Sequence, residues 1–304
     1  MSASISPCSS CDHCPSTCSK YLAGLETCDH GCLICGKPLE YFTEPQKKCC
    51  IYCGREFSAD ASCIGGHFVC DGCHSSKSLK ILTTYCKASN DQALKRYADN
   101  IKAGLSEEEC LEIERKKNNM IVMFQEIRAH PDVPIHGPDY HSVVPAVIIT
   151  AFFNMTHRPI DVKNDLEVVI NRGAQIPGAL CGFAGACGSA IGAGIALAHI
   201  TESSPMKAVK RQTALQYTSH MLTILSDKPG ARCCRRECMK VMREVAVQSK
   251  KYVGIQMNAD VVFEPDTPEE GQAMASCEQW TKNKACIRRL CPWWPGAPAK
   301  KKVE

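Results

Sequence analysis

The sequence has little of three things that usually announce a function. Charge of one sign is scarce: 36 Lys+Arg stand against 32 Asp+Glu, a net +4 over 304 residues. Composition therefore gives no strongly basic face for nucleic acid. Each ion held by four thiolates would contribute about −2, so metal loading moves the total toward zero. Aromatic residues are only 6% of the chain. Those near the early cysteines, Tyr41, Phe42, Tyr52, Phe57 and Phe68, are too thinly spread for a base-stacking platform. Nucleic acid is not an expected partner. No G-x-x-x-x-G-K-[ST] loop and no strand-framed dinucleotide fingerprint occurs, which excludes the common nucleotide sites.

Apolar runs suited to a bilayer are also missing. The uncharged stretch from Gly173 to Thr201 is interrupted by Gly182, Gly185, Gly188, Gly192 and Gly194, and the one from Tyr140 to His157 carries Pro145, Asn154 and two histidines. Both read as buried helices, and no membrane contact is expected. No apolar signal stretch follows Met1. The expected compartment is the reducing cytoplasm.

Cysteine is what the chain has in excess. Of its 23 cysteines, fourteen precede residue 87, one is Cys110 and eight fall between Cys181 and Cys291. The odd count, the length and the C-x-x-C spacing argue against a disulfide framework and for metal ligation. The texture divides the chain into a Cys-rich segment (1–31), a zinc-binding module (32–88), connecting helices (89–130) and a helical Cys/His-rich domain (131–304). The expected fold is mainly α. A small treble-clef or zinc-ribbon-like metal module precedes a larger helical, Cys-rich domain.

Local signals place the helices. Ser106 with Glu109 forms a capping box for a helix running to about Arg128 and ended by Pro131, with Gly104 stopping the helix before it. A loop is expected from Pro131 to Pro145, then an apolar helix through Ile148 and Phe152. Asp161 caps a helix that Gly173 closes. Further helices are expected from Pro205 to Leu225 and from Cys233 to Lys250, then an extended piece from Tyr252 to Phe263 and a helix start at Thr267.

Eight nitrogen or sulfur donors mark the module: Cys32, Cys35, Cys50, Cys53, Cys63, His67, Cys70 and Cys73. That number suits two tetrahedral zinc sites, with iron in a thiolate site as the alternative. In each C-x-x-C-G knuckle, backbone N–H groups turn toward sulfur and the glycine supplies a positive φ. Two pairings are open. A sequential one gives Cys32, Cys35, Cys50 and Cys53 to one ion, and Cys63, His67, Cys70 and Cys73 to the other. An interleaved one groups Cys50, Cys53, Cys70 and Cys73, and separately Cys32, Cys35, Cys63 and His67. Cys49 and His74 are reserve ligands. Upstream, Cys8, Cys11, Cys14 and Cys18 have the C-x2-C-x2-C-x3-C spacing of a [4Fe–4S] run, with Cys28 or a remote thiolate as an alternative fourth ligand.

In the helical part, His136 and His141 lie in a Gly/Pro-rich loop, Cys181 and Cys187 flank a Gly-rich turn, and Cys233, Cys234 and Cys238 sit among arginines. Imidazole suits Zn, Fe or Ni, and neighbouring arginines lower thiol pKa or balance an anionic cluster. These seven are the candidate catalytic residues. Cys277, Cys286 and Cys291, the last followed by proline, are candidate cluster ligands.

The run from Cys50 to Cys73 resembles the first six ligands of a RING finger, and this resemblance favours the interleaved pairing. It departs from RING in lacking a final C-x-x-C, so ubiquitin-ligase activity is not implied. The Cys32–His74 pattern, His136-Gly-Pro-x-x-His141, Cys181–Gly188, Arg232-Cys233-Cys234-Arg235 and the terminal Cys-Pro together resemble domain-of-unknown-function family 5714, over about residues 32–295. The resemblance implies a protein of anaerobic bacteria and archaea and supplies no reaction. The expected function is a cytoplasmic metal-binding protein with two structural zinc sites and a redox-active metal or iron–sulfur centre in the helical domain. It would be an oxidoreductase or metalloenzyme component with a redox or protein partner, working in electron transfer or on a small thiol or one-carbon substrate. The alternative is a non-catalytic, zinc-dependent protein-interaction adaptor.

Overall fold

The computed structural model describes residues 32, 37–51, 54–262, 272–274, 277 and 286–294. They fall into two units. One holds the described residues up to Cys70, Ser226–Cys233 and those after Ala275; the other holds Asp71–Leu225 and Cys234–Met274.

The first unit is built on a β-hairpin. Strand β1 (Leu39–Cys49) pairs antiparallel with β2 (Glu56–Cys63), Leu39 opposite Cys63 and Cys49 opposite Glu56. The register shifts between Tyr41 and Gln46, and Pro45 sits in that bulge, where its missing N–H costs the ladder nothing. The register puts Cys63 at the open end and Cys50 at the turn end. The segment after β2 then ties itself to both. Cys63 N–H donates to the His67 carbonyl (2.9 Å), and Ile51 N–H donates to the next carbonyl, that of Phe68 (3.0 Å).

The helical unit begins with α1 (Asp71–Lys102), stopped at Gly104, whose φ is +86°. Helix α1 runs without a break through residues 88 and 89. Helix α2 (Glu107–Lys117) carries the expected capping box: Glu109 N–H donates to the Ser106 hydroxyl, and Ser106 N–H donates to Glu109 at 2.8 Å. The expected continuation to Arg128 is broken. A second helix, α3 (Met120–Ala129), starts at Asn119, whose side chain accepts from the N–H groups of Ile121 and Val122. Asn118 turns inward and donates to the Ala151 carbonyl (2.7 Å). Asn119 thus satisfies N–H groups that the break deprives of helical partners.

Helix α4 (Asp139–Met155) is buried along nearly its whole circumference. Apolar residues on every face are what such a position requires. The loop expected up to Pro145 is shorter, because the helix already begins at Asp139 and contains that proline. Pro145 cannot donate to the His141 carbonyl one turn back. That carbonyl instead faces two glycines: a Cβ on Gly173 would lie 2.5 Å from it, and one on Gly192 3.3 Å. No described helix is long and apolar enough to cross a membrane.

Asp161 caps the next turn, accepting from Lys163 and Asn164 N–H. The chain makes one wide π-type turn (Val162–Leu166) before α5 (Glu167–Ala174). A short α6 (Leu180–Phe183) leads to α7 (Gly188–Ile200), α8 (Ala208–Leu225) and α9 (Cys234–Val253). Helices α1, α3, α5, α7 and α9 all pack on α4. The expected extended piece reduces to β3 (Val261–Val262), parallel to β4 (Ala273–Met274). The helix start at Thr267 lies outside the described residues.

A chain of buried amides links several helices of this unit. Asn90 donates to Asn154 (2.9 Å), Asn154 to Asn118 (3.0 Å), and Ile160 N–H to Asn90 (2.8 Å). Arg96 on α1 grips Glu114 on α2 through two bonds, of 2.7 and 3.2 Å. The Glu114 side chain is 2% exposed and that of Arg96 33%. Glu114→Ala leaves the arginine facing a pocket without its carboxylate. It is expected to lower the unfolding free energy by about 2 kcal/mol, less than for a fully buried pair because Arg96 keeps some solvent. Urea denaturation of the two proteins measures this.

Candidate metal centres

The hairpin register decides which early donors meet. At the open end, Cys32, Cys63 and His67 bring their ligand atoms within 4.8 Å of one another. At the turn end, Cys50, Cys70 and Cys73 do the same. Both trios could hold a metal ion. Cys63 and Cys70 fall in different trios, so the sequential grouping does not describe this geometry and the interleaved one does.

The local chemistry suits ligation. Sulfur and nitrogen donors of one tetrahedral ion stand about 3.6 Å apart, and Cys32 Sγ lies 3.8 Å from His67 Nδ1. Gly65 N–H donates to Cys63 Sγ (3.1 Å), and Cys70 N–H to Cys50 Sγ (3.4 Å). Such bonds stabilise thiolate charge. Gly54, at φ +67°, closes the knuckle after Cys50 by donating to its carbonyl (2.9 Å). Cys32, Cys50, Cys63 and Cys70 are buried, whereas Cys49 is exposed and donates to the Gly54 carbonyl (3.3 Å). Cys35, Cys53, the whole Cys8, Cys11, Cys14 and Cys18 run, Cys28 and the His74 side chain lie outside the described residues.

The later donors are distributed differently. His136, His141, Cys181, Cys187, Cys234 and Cys238 belong to the helical unit, while Cys233, Cys277, Cys286 and Cys291 belong to the other. Among the described residues, only the two early trios have three ligand atoms within 4.8 Å of one another. Within the helical unit, three helix starts nevertheless come together. His141, in the first turn of α4, directs Nδ1 at the Ile176 carbonyl (3.0 Å). Gly188, the first residue of α7, lies against the His141 ring, where a Cβ would come within 2.1 Å of Cδ2. Cys187 Sγ, immediately before α7, lies 3.3 Å from a Glu237 carboxylate oxygen on α9 and 3.0 Å from the Ser189 hydroxyl. Burial and then the Glu237 charge push the Cys187 thiol up to about 12.

Cys234 and Cys238, one helical turn apart, are 8% and 0% exposed. Arg236 pairs with Glu237 at 3.2 Å. Burial holds the Tyr140 phenol above its ordinary range; Arg128 draws it down, and Cys238 and Cys234 raise it further. Cys181 is half-buried on α6, and both ring nitrogens of His136 are shielded from solvent. Cys286 Sγ accepts from Arg288 N–H (3.4 Å), and Cys291 is buried. The residue missed by sequence reasoning is Glu237. Its position three after Cys234, on that residue's helix face, was the available signal.

Fold and donors define a cysteine-rich, mainly α-helical protein with an N-terminal module whose Cys/His clusters could hold metal. The chain belongs to DUF5714, a family of unknown function, whose model matches residues 107–294. The match starts after the module, so the family likeness covers less of the chain than residues 32–295. No curated protein and no solved structure matches it.

Interleaving has a countable signature. Cys63→Ser/Cys70→Ser, which touches both trios, is expected to remove two equivalents of metal, and Cys63→Ser/His67→Ala only one. Elemental analysis of both proteins reads this; loss of a single equivalent from the first would restore sequential pairing.

Proposed function

We propose that the protein is a metalloprotein in which two zinc ions organise the N-terminal module and a redox-active metal or iron–sulfur centre serves the helical domain. The observation that carries this reading is the pair of interleaved trios, Cys32/Cys63/His67 and Cys50/Cys70/Cys73. Thiolate with imidazole favours zinc over the hard cations, and buried sulfur with N–H donors is the environment of a closed, structural site. Cys35 and Cys53 are the proposed fourth ligands.

For the helical domain, support comes from the donors near the starts of α4, α7 and α9. His141, Cys187, Cys234 and Cys238 supply nitrogen and sulfur, and Arg235 and Arg236 supply positive charge beside them. Cys181, His136 and Cys233 are candidates for the same centre, and Cys277, Cys286 and Cys291 for a cluster of their own. The Cys8–Cys18 run is the proposed seat of a [4Fe–4S] cluster. The reaction is electron transfer, or chemistry on a small thiol or one-carbon substrate, with a redox protein as partner in the cytoplasm. Protein prepared without oxygen is expected to contain two zinc ions together with iron and acid-labile sulfide. Cys234→Ser should lower iron and leave zinc unchanged. Zinc alone, identical in both proteins, would remove the redox half of the reading.

A second reading, a zinc-dependent interaction adaptor, is favoured by Tyr41, Ile51 and Ile64, large apolar side chains 48%, 46% and 60% exposed on the module. It requires that Ile51→Asp/Ile64→Asp abolish capture of a binding protein while the metal content stays intact. Retained capture would exclude this face.

A further inference from the structure

The two early trios draw on one short stretch of chain. Beginning at the last residue of β2, residues 63–70 supply Cys63 and His67 to one trio and Cys70 to the other. His67 and Cys70, a mere three positions apart in the sequence, thus serve different ions. Backbone bonds tie the same stretch to both ends of the hairpin. At the open end, Cys63 N–H donates to the His67 carbonyl (2.9 Å) and Ile64 N–H to the Pro38 carbonyl (3.1 Å). At the turn end, Ile51 N–H donates to the Phe68 carbonyl (3.0 Å), and Cys70 N–H reaches Cys50 Sγ (3.4 Å).

The stretch buries little apolar surface of its own. Ile64, Gly65 and Gly66 are exposed, and His67, Phe68 and Val69 are half-buried. The side chains it does bury are the sulfur donors at its two ends, Cys63 and Cys70. Its order therefore depends on what those sulfurs hold. An ion at Cys63 and His67 fixes the His67 and Phe68 peptide groups, and with them the approach of Cys70 to Cys50. The ordering entropy of the stretch is then already met when the other ion arrives. Repulsion between two thiolate-rich sites works in the opposite direction, but salt screens it, whereas the covalent link is not screened.

We propose that the module takes up its two ions cooperatively, each tightening the hold on the other through residues 63–70. This deepens the zinc reading of the module and rests on it. Coupling of this kind is reciprocal: the factor by which the first ion strengthens the second is the factor by which the second strengthens the first. The module consequently passes from empty to full over a narrower span of free metal than two independent sites would need. Molecules holding a single ion are scarce at every stage of filling. What the shared stretch supplies is a threshold of metal availability, below which both sites stand open together.

The test strips the full chain of metal and returns cadmium, whose spin-active isotope reports by NMR the thiolate–imidazole site apart from the sulfur-rich one. Competition with a chelator gives the affinity of each. Cys32→Ser and Cys50→Ser each cripple one site while leaving the sequence of residues 63–70 intact. Cys32→Ser is expected to weaken the ion at Cys50 and Cys70 by more than about tenfold, and Cys50→Ser the ion at Cys63 and His67 by the same factor. Metal in excess still fills the surviving site, so the coupling shows in affinity and not in stoichiometry. Two glycines inserted between Val69 and Cys70 keep every donor and slacken the link; in that background both factors should fall to about one. Factors near one without the insertion, or two unequal factors, would overturn the coupling with both ions still in place. Coupling that survives the insertion would overturn the part given to residues 63–70. Absence of both signals from the unaltered chain would instead remove the metal reading of the module on which the coupling rests.

Discussion

The helical unit depends on one constraint: a helix without a polar face must be covered on every side. Helix α4 meets that demand with neighbours that come closer than ordinary side chains allow. Gly173 reaches its backbone at His141 and Ser142, Gly188 its first-turn imidazole, and Gly192 its Pro145. Close approach replaces side-chain bulk with backbone contact, and it fixes where the end of α5 and the start of α7 lie. The constellation at Cys187 is a consequence. A helix start pressed onto His141 carries its preceding cysteine to the edge of α9, where Glu237 waits.

In the module the governing constraint is different. A short hairpin has little apolar area to bury, and small units of this kind lean on metals for stability. Its register sends Cys50 and Cys63 to opposite ends, and the returning segment spans both through consecutive carbonyls. Each ion would then join residues far apart in sequence, which closes larger loops than sequential pairing would. Such closure restricts the unfolded chain more strongly.

Several features were legible from sequence because they rest on short-range chemistry. Ser106 and Glu109 form their capping box, Asp161 caps its turn, and the helices expected over 205–225 and 233–250 form as Ala208–Leu225 and Cys234–Val253. The texture of Tyr140–His157 already required burial. What sequence could not show depended on contacts distant in the chain. The break at Asn118–Asn119 is held partly by Asn258, whose carbonyl receives Met120 N–H. The early start of α4 was hidden because Pro145 reads as a breaker, whereas here the helix runs through it with Gly173 and Gly192 close to the turn before it. Glu237 was hidden for a similar reason: sequence sets Arg235 and Arg236 beside the thiols, whereas Arg236 pairs with Glu237 and Cys187 faces the same carboxylate. Adjacency in sequence gave the charges but not their direction.

The coverage of α4 also bears on how the protein is made. Its last residue, Met155, leaves the ribosome well before α7, which ends 45 residues later at Ile200. At roughly 5–20 residues per second, the most apolar segment of the chain waits about 2–9 s for one of its principal covers. During that interval it is a bare sticky cylinder beside a half-built partner set. Newly synthesised chains would therefore draw on holding chaperones at this point, and a stalled product ending between the two helices would be an aggregation seed rather than a stable fragment.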